Sequence, residues 1–361
     1  MRVGVVGVGN ISAQYFQHLP QLPGLRLVAV ADVNEARAAE VAAEQGVAAM
    51  SVDELLGSSE VDAVLNLTIP AAHVEVATRA LQAGKHVYGE KPLGLSPAEA
   101  APMLELARER GLRVGSAPDT VLGTGIQTAR KVLDEGTIGD PVAAFVHWTA
   151  PGHELWHPAP QFYYQPGGGP LFDMAPYYLT ALITLFGPVV RVSGVATRSA
   201  RERSVATGPQ AGTTFPVDVD THVSAILEHA GGVTVTLTVS FEVWASRAPL
   251  FEVYGTAGTI AVPDPNRFSD PVEVYTAQKR EWTEVPDAGG YTDAGRGFGL
   301  ADMARAIETD RPHRASGDVA FHVLEIMDAV LRAASEHSVV ELGSTVERPE
   351  AVPFGATPST W

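Results

Sequence analysis

Residues 167–179, GGGPLFDMAPYYL, set a carboxylate, Asp173, and a phenol, Tyr177, four positions apart in an apolar stretch. On a helix that spacing puts both on one face, one turn apart. A carboxylate and a phenol so placed can orient a hydroxyl and exchange its proton. The preceding glycines let backbone come close to a ligand. The plainer reading is structural. Pro176 is tolerated in a first turn, so a helix beginning near Asp173 would make that residue its N-cap and Tyr177 a core aromatic.

A cation precedes them. Glu90-Lys91-Pro92 follows the apolar run KHVYG. Lys91 therefore stands at a strand exit, beside a proline that fixes the backbone. Ligands of open α/β sheets bind beyond the carboxyl ends of the strands.

Near the N-terminus, VGVVGVGNIS places Gly7, Gly9 and Ser12 in a G-x-G-x-x-small pattern between a strand and a helix. Such a turn suits a dinucleotide. Gly7 permits the bend, Gly9 admits the pyrophosphate, Ser12 lets helix pack on strand, and the helix start at Asn10 and Ile11 offers N–H groups. Asp32 closes the second strand, LVAVAD. An acid there bonds the adenosine ribose hydroxyls and repels a 2′-phosphate, so NAD is expected. NADP remains the alternative, with Arg37 turned towards the phosphate. As a purely structural residue, Asp32 would cap the next helix together with Asn34.

HELWH (153–157) matches the zinc signature H-E-x-x-H. That chemistry needs both histidines on one helical face, and the flanking PG and PAPQ disfavour such a helix. No metal is expected. The segment reads instead as an aromatic approach to a pocket, with Trp156 and His157 as the expected substrate contacts. Asp119 and Gln127 are further candidates for facing cofactor or substrate. His322, among apolar residues, reads as a packed core histidine.

These groups need elements to hold them. The first ~117 residues alternate short apolar runs with helical patterns, which predicts parallel strands and crossover helices in a doubly wound α/β sheet. After about 120 the pattern changes. One helix (121–135) and a strand (142–150) lead to 167–187, and strands dominate from 189 to 276. THVSAILEHAGGVTVTLTVSFEVW reads as a hairpin turning at Gly231-Gly232, one face apolar, in an antiparallel sheet. Two helices follow, at 297–309 and 317–337. Residues 286–299 read as a flexible loop. The expected division is 1–120, 121–346 and a tail, 347–361.

Length and composition agree. A chain of 361 residues favours two domains, and 45% hydrophobic residues suit a large core. A net charge of −17 disfavours nucleic acid and anionic membranes as partners. The absence of cysteine excludes disulfides and thiol chemistry. No signal peptide is read, and the longest apolar run is too short to span a bilayer, so a soluble, cytoplasmic protein is expected.

The glycine turn, TIPAAHVEVATRALQAGKHVYGEKPLGLS and GGGPLFDMAPYYL together resemble the glucose–fructose oxidoreductase/inositol dehydrogenase/MocA (Gfo/Idh/MocA) family. The likeness runs in motif order over nearly the whole chain. It implies a Rossmann domain followed by an α+β domain whose large, mainly antiparallel open sheet builds homodimers or homotetramers. It implies a nicotinamide-dependent oxidoreductase moving hydride between NAD(P) and a secondary hydroxyl of a sugar, cyclitol or related polyol. Thr68, Ile69, Pro70 and His73 match the loop that lines the cofactor, with Glu90 and Lys91 beside it. Lys91 matches the active-site lysine, and Asp173 an aspartate at the substrate. Tyr177 stands where many members carry histidine as acid/base, and some carry tyrosine. On this reading Lys91 stabilises the developing alkoxide, Tyr177 takes or relays the proton, and Asp173 orients the hydroxyl or the lysine. Lys91 is the alternative base. Two rival functions are an NAD-dependent glycosidase of the same family and a sensor without turnover.

Overall fold

The computed structural model describes residues 1–358. The first unit alternates as the sequence predicts. Its elements are β1 (Arg2–Val6), α1 (Ser12–His18), β2 (Arg26–Ala31), α2 (Glu35–Gln45), β3 (Ala48–Ala49), α3 (Val52–Gly57), β4 (Ala63–Asn66), α4 (His73–Gln82), β5 (His86–Gly89), α5 (Pro97–Glu109) and β6 (Val114–Ser116). The strands lie in the order β3-β2-β1-β4-β5-β6, and every pair is parallel. Helices cover both faces, so β4 is buried throughout. The order reverses between β1 and β4, which opens a crevice at their carboxyl ends.

The second unit contains α6 (Thr124–Asp134), β7 (Pro141–Thr149), α7 (Gly169–Phe186), β8 (Val189–Thr197), β9 (Glu202–Ser204), β10 (Thr214–Pro216), β11 (His222–His229) and β12 (Thr234–Ser240). It continues with β13 (Phe251–Gly255), β14 (Gly258–Ala261), β15 (Val272–Thr276), β16 (Trp282–Val285), α8 (Phe298–Thr309), α9 (Gly317–Glu336) and β17 (Val340–Glu341). Nine strands form one sheet in the order β16-β15-β14-β13-β7-β12-β11-β8-β17. All its pairs are antiparallel except β7–β12, which is parallel. The hairpin forms as expected, with Glu228 opposite Thr234. Val223, Ala225 and Leu227 join Val235, Leu237 and Val239 in the core, and α7 and α9 pack over this apolar face.

Three segments differ from their sequence reading. The helix expected near Asp173 starts four residues earlier, at Gly169, with Pro170 in its first turn. Asp173 is therefore not an N-cap, and Pro176 lies inside the helix. Residues 286–299 are packed rather than loose, with Tyr291 and Arg296 buried and the Tyr291 N–H bonded to the Leu122 carbonyl. The C-terminal segment is also anchored up to the last described residues. Arg348 Nε donates to Thr184 O at 2.7 Å, and Val352 N donates to Gln127 Oε1 at 2.8 Å. Positions 359–361 of the expected tail lie outside the described residues.

Candidate active site

The glycine turn closes over the end of β1. Gly7 has φ +94°, and a Cβ there would sit 2.7 Å from the Leu67 carbonyl oxygen. Only glycine fits. A Cβ on Gly9, by contrast, would meet nothing within 4 Å, so the backbone there faces open space. Ser12 is buried and its hydroxyl donates to Gly9 O at 2.7 Å, fastening α1 to the turn. Asn10 is exposed at the turn, and Ile11 lines the cleft.

Asp32 is tied to this turn. Its two oxygens accept from the N–H groups of Val8 and Asn34, each at 2.8 Å. Asp32 does not cap α2, because Asn34 does so by accepting from Arg37 N. Arg37 pairs with Glu40 on the surface.

A cleft of about 330 Å³ opens between the two units. Thr68, Ile69, Pro70, Glu90 and Lys91 form the wall from the first unit. Phe162, Tyr163, Gly167, Phe172, Asp173 and Tyr177 form the other. His73 stays out of it. The ring is buried behind the wall, one nitrogen 2.7 Å from Pro92 O and the other 2.9 Å from Thr68 O. It braces the Thr68 loop against the Glu90-Lys91-Pro92 turn. Glu90 is held from behind, accepting from the Tyr15 hydroxyl at 2.8 Å.

Lys91 and Asp173 meet across the cleft. The Lys91 ammonium donates to Asp173 Oδ1 at 2.9 Å and to the Asp173 carbonyl at 2.6 Å. Burial alone would favour neutral lysine, yet Asp173, Tyr177 and Glu90 outweigh it and raise its pKa above the ordinary value. Burial likewise pushes Asp173 up, but Lys91 and His153 prevail and hold its carboxyl at about 2. Both stay charged at neutral pH. Such an ammonium is a fixed positive charge, which argues against Lys91 as the base.

Two groups at this site escape sequence reasoning. His153, buried, puts Nε2 2.8 Å from Asp173 Oδ2. Its Nδ1 accepts from Trp156 Nε1–H at 3.3 Å, which assigns the proton to Nε2 and makes the ring a donor to Asp173. Arg296, also buried, donates from Nη2 to the Tyr177 hydroxyl at 3.0 Å. HELWH carried a signal for His153, but one pointing to metal. Nothing in the glycine-rich stretch around Arg296 marked it.

HELWH itself is a 3₁₀ turn at His153–Leu155, not a longer α-helix. Its Glu154 is buried against Arg203 at 2.6 Å and accepts from the Tyr164 hydroxyl. Among the described residues, no group of three His, Cys, Asp or Glu side chains could hold a metal. Trp156 and His157 lie behind the residues that line the cleft. They pack against His153 and Tyr163, with ring centroids 5.0 Å and 5.4 Å away, while Phe162 and Tyr163 present the aromatic wall.

The remaining candidates are structural in their contacts. Asp119 is wholly buried and accepts from Gly297 and Gly299 N–H at the start of α8. Gln127 bonds Val121 O and Val352 N. His322 accepts from Val189 N at 3.0 Å within the core.

A doubly wound nucleotide-binding unit joined to an α+β unit, with a charged cleft between them, defines an oxidoreductase architecture. Residues 1–117 match the family described as "Oxidoreductase family, NAD-binding Rossmann fold", and residues 126–261 match the "GFO/IDH/MocA C-terminal domain". Inositol 2-dehydrogenase 1 of Saccharopolyspora erythraea is 30% identical over 74% of this chain and 75% of its own. The dTDP-3,4-didehydro-2,6-dideoxy-alpha-D-glucose 3-reductase of Streptomyces antibioticus is 29% identical over 83% of this chain and 88% of its own. Among solved structures, a levoglucosan dehydrogenase in its apo form superposes with a TM-score of 0.82, covering 96% of this chain and 99% of its own at 23% identity. That last likeness speaks for the fold. The chain belongs to the Gfo/Idh/MocA family and is an NAD-binding oxidoreductase.

The residues fit that cofactor. Gly9 leaves the space that a pyrophosphate needs, and Asp32 stands at the end of β2 where the adenosine ribose binds in this fold.

Proposed function

We propose that the protein is an NAD-dependent dehydrogenase acting on a secondary hydroxyl of a small, uncharged polyol: a sugar, a cyclitol or a related diol. The observation that carries this reading is the Lys91–Asp173 ion pair beside Tyr177 in one cleft. Among the described residues lining the cleft, Lys91 is the only Lys or Arg, and Asp173 already engages it. A phosphate or carboxylate on the substrate would find no second cation among those lining residues, whereas rings such as Phe162 and Tyr163 suit the apolar face of a cyclic polyol.

Gly7, Gly9, Asn10, Ile11 and Asp32 hold the adenosine diphosphate part of NAD, and Thr68, Ile69, Pro70 and Glu90 face its nicotinamide end. When bound, the cofactor supplies the hydride acceptor. The chain's residues manage the proton and the charge. Lys91 keeps one N–H beyond its two bonds to Asp173 and turns it to the substrate oxygen, stabilising the alkoxide as it forms. Asp173 fixes the ammonium and is itself fixed by His153. Tyr177 receives the hydroxyl proton, and in the reverse direction returns it. The open face of the nine-stranded sheet, with Ile226 and Val195 exposed and Phe145 half-buried beside them, is the proposed surface for homo-oligomers.

Incubation with NAD and a panel of sugars, inositols, cyclic diols and their phosphorylated counterparts tests the reading. NADH absorbance should rise with one or more neutral members and not with the phosphorylated ones. Turnover of the phosphorylated compounds alone, or of none, overturns it.

A further inference from the structure

Tyr177 lies between two cations. Lys91 Nζ sits 5.3 Å from its ring centroid, and Arg296 Nη2 reaches its oxygen at 3.0 Å. The guanidinium comes from the segment just before α8, 119 positions along the chain. The side chain of Arg296 is only 7% exposed.

Its surroundings explain why it keeps its charge. Burial works against the cation, but Tyr177, Glu90, Asp119 and Tyr15 outweigh it and raise its pKa well above the ordinary arginine value. Asp119 is an incomplete partner. It stands 3.5 Å from Arg296 Nη1, and its other oxygen accepts from Gly297 and Gly299 N–H. Asp173, one turn back on α7, is occupied by Lys91 and His153. Tyr163 faces the site from the aromatic wall, and Glu90 is bound by Tyr15 and by Lys91 N–H. So the short contact from Arg296 goes to the phenol, not to a carboxylate.

The direction of that bond matters. A guanidinium only donates and stays protonated throughout. Tyr177 must accept from it, which leaves the phenol's own hydrogen free to point into the cleft. We propose that Arg296 is the positioning residue that lets a tyrosine serve as acid/base here, by aiming the Tyr177 proton at the substrate and holding the phenolate that remains. This rests on the dehydrogenase reading above. In oxidation, the substrate O–H bond breaks and its proton joins the Tyr177 phenolate. The electron pair of that O–H bond becomes the second C=O bond as hydride leaves the carbon for the cofactor. Arg296 neither gains nor loses a proton.

A Raman difference spectrum, wild type minus Tyr177→Phe, reads whether the Tyr177 hydroxyl accepts or donates from the intensity ratio of its Fermi doublet, without any substrate. The same difference taken in an Arg296→Gln background should shift from acceptor towards donor. Arg296→Lys, which keeps a cation, should fall between the two and serves where the glutamine variant is poorly folded. With any polyol the panel finds, kcat should fall roughly 10–100-fold in Arg296→Gln and recover in part in Arg296→Lys, while KM for NAD holds. An unchanged doublet in both variants overturns the proposal. A silent substrate panel with a shifted doublet would instead count against the polyol reading alone.

Discussion

The ammonium of Lys91 and the carboxylate of Asp173 stand 2.9 Å apart although 82 positions separate them in the chain. One comes from the turn after β5 and the other from α7, so the bond couples the two units at the cleft. Both side chains are largely buried, at 16% and 13% exposure. Breaking such a pair from one side leaves an uncompensated charge, at a cost of about 3–5 kcal/mol. Lys91→Met should therefore lower the melting temperature as well as turnover, the latter by at least about 10²-fold if it removes the donor to the forming alkoxide. NAD affinity, measured by fluorescence titration, should hold. Near-normal turnover in this variant would remove Lys91 from the mechanism.

The same pair sets a pH window. The Asp173 carboxyl is held at about 2, below the ordinary ~3.9 of an unfolded aspartate. Its stabilisation is thus complete above that ordinary value and is lost as pH falls through the folded one. Lys91 is raised, so its share is complete below its ordinary ~10.4 and is lost as pH rises through the higher folded value. Urea unfolding of wild type and of the Lys91→Met/Asp173→Asn double variant, which leaves neither partner orphaned, should differ by an amount that is flat between about pH 5 and 9. A slope inside that window would mean that one partner titrates there.

His153 makes a separate prediction. Its Nε2–H bond to Asp173 Oδ2 fixes the carboxylate on the side away from Lys91. A hydrogen bond to a charged group contributes about 1.5–3 kcal/mol, which corresponds to a loss of roughly 10–100-fold in kcat for His153→Phe. His153→Gln, able to donate from a similar distance, should recover part of that loss. Equal rates for Phe and Gln variants would show that the ring packs but does not position.

Sequence patterns revealed what local physics dictates. The strand–glycine–helix turn, Asp32 at the end of β2 and Lys91 at a strand exit all follow from rules acting over a few residues. So did the hairpin, whose alternation of Val235, Leu237 and Val239 with threonines is visible by eye. Contacts made by irregular backbone were not legible. His153 meets Asp173 from a 3₁₀ turn and Arg296 meets Tyr177 from a loop, with no periodicity to say which way either side chain faces. The aromatics were open for the same reason. Composition marked 156–164 as an aromatic approach, but only packing set Phe162 and Tyr163 along the cleft. The parallel β7–β12 pair depends on where distant strands dock, which hairpin logic does not address.

The two glycines of the turn separate folding from binding. Gly7 combines φ +94° with a backbone carbonyl 2.7 Å from any added Cβ, so Gly7→Ala incurs both left-handed strain and a clash that only main-chain movement relieves. Strain of that kind costs about 1–2 kcal/mol before the clash is counted. The variant should melt earlier even without NAD. Gly9 meets nothing within 4 Å at the same position of its side chain, and its φ carries no such penalty. Gly9→Val should therefore melt with the wild type in the absence of cofactor, yet raise the Kd for NAD by about tenfold or more, since the branched side chain occupies space the pyrophosphate requires. Thermal melts with and without NAD check both variants. Loss of apo stability in Gly9→Val together with intact NAD binding would reverse the roles assigned to these two positions.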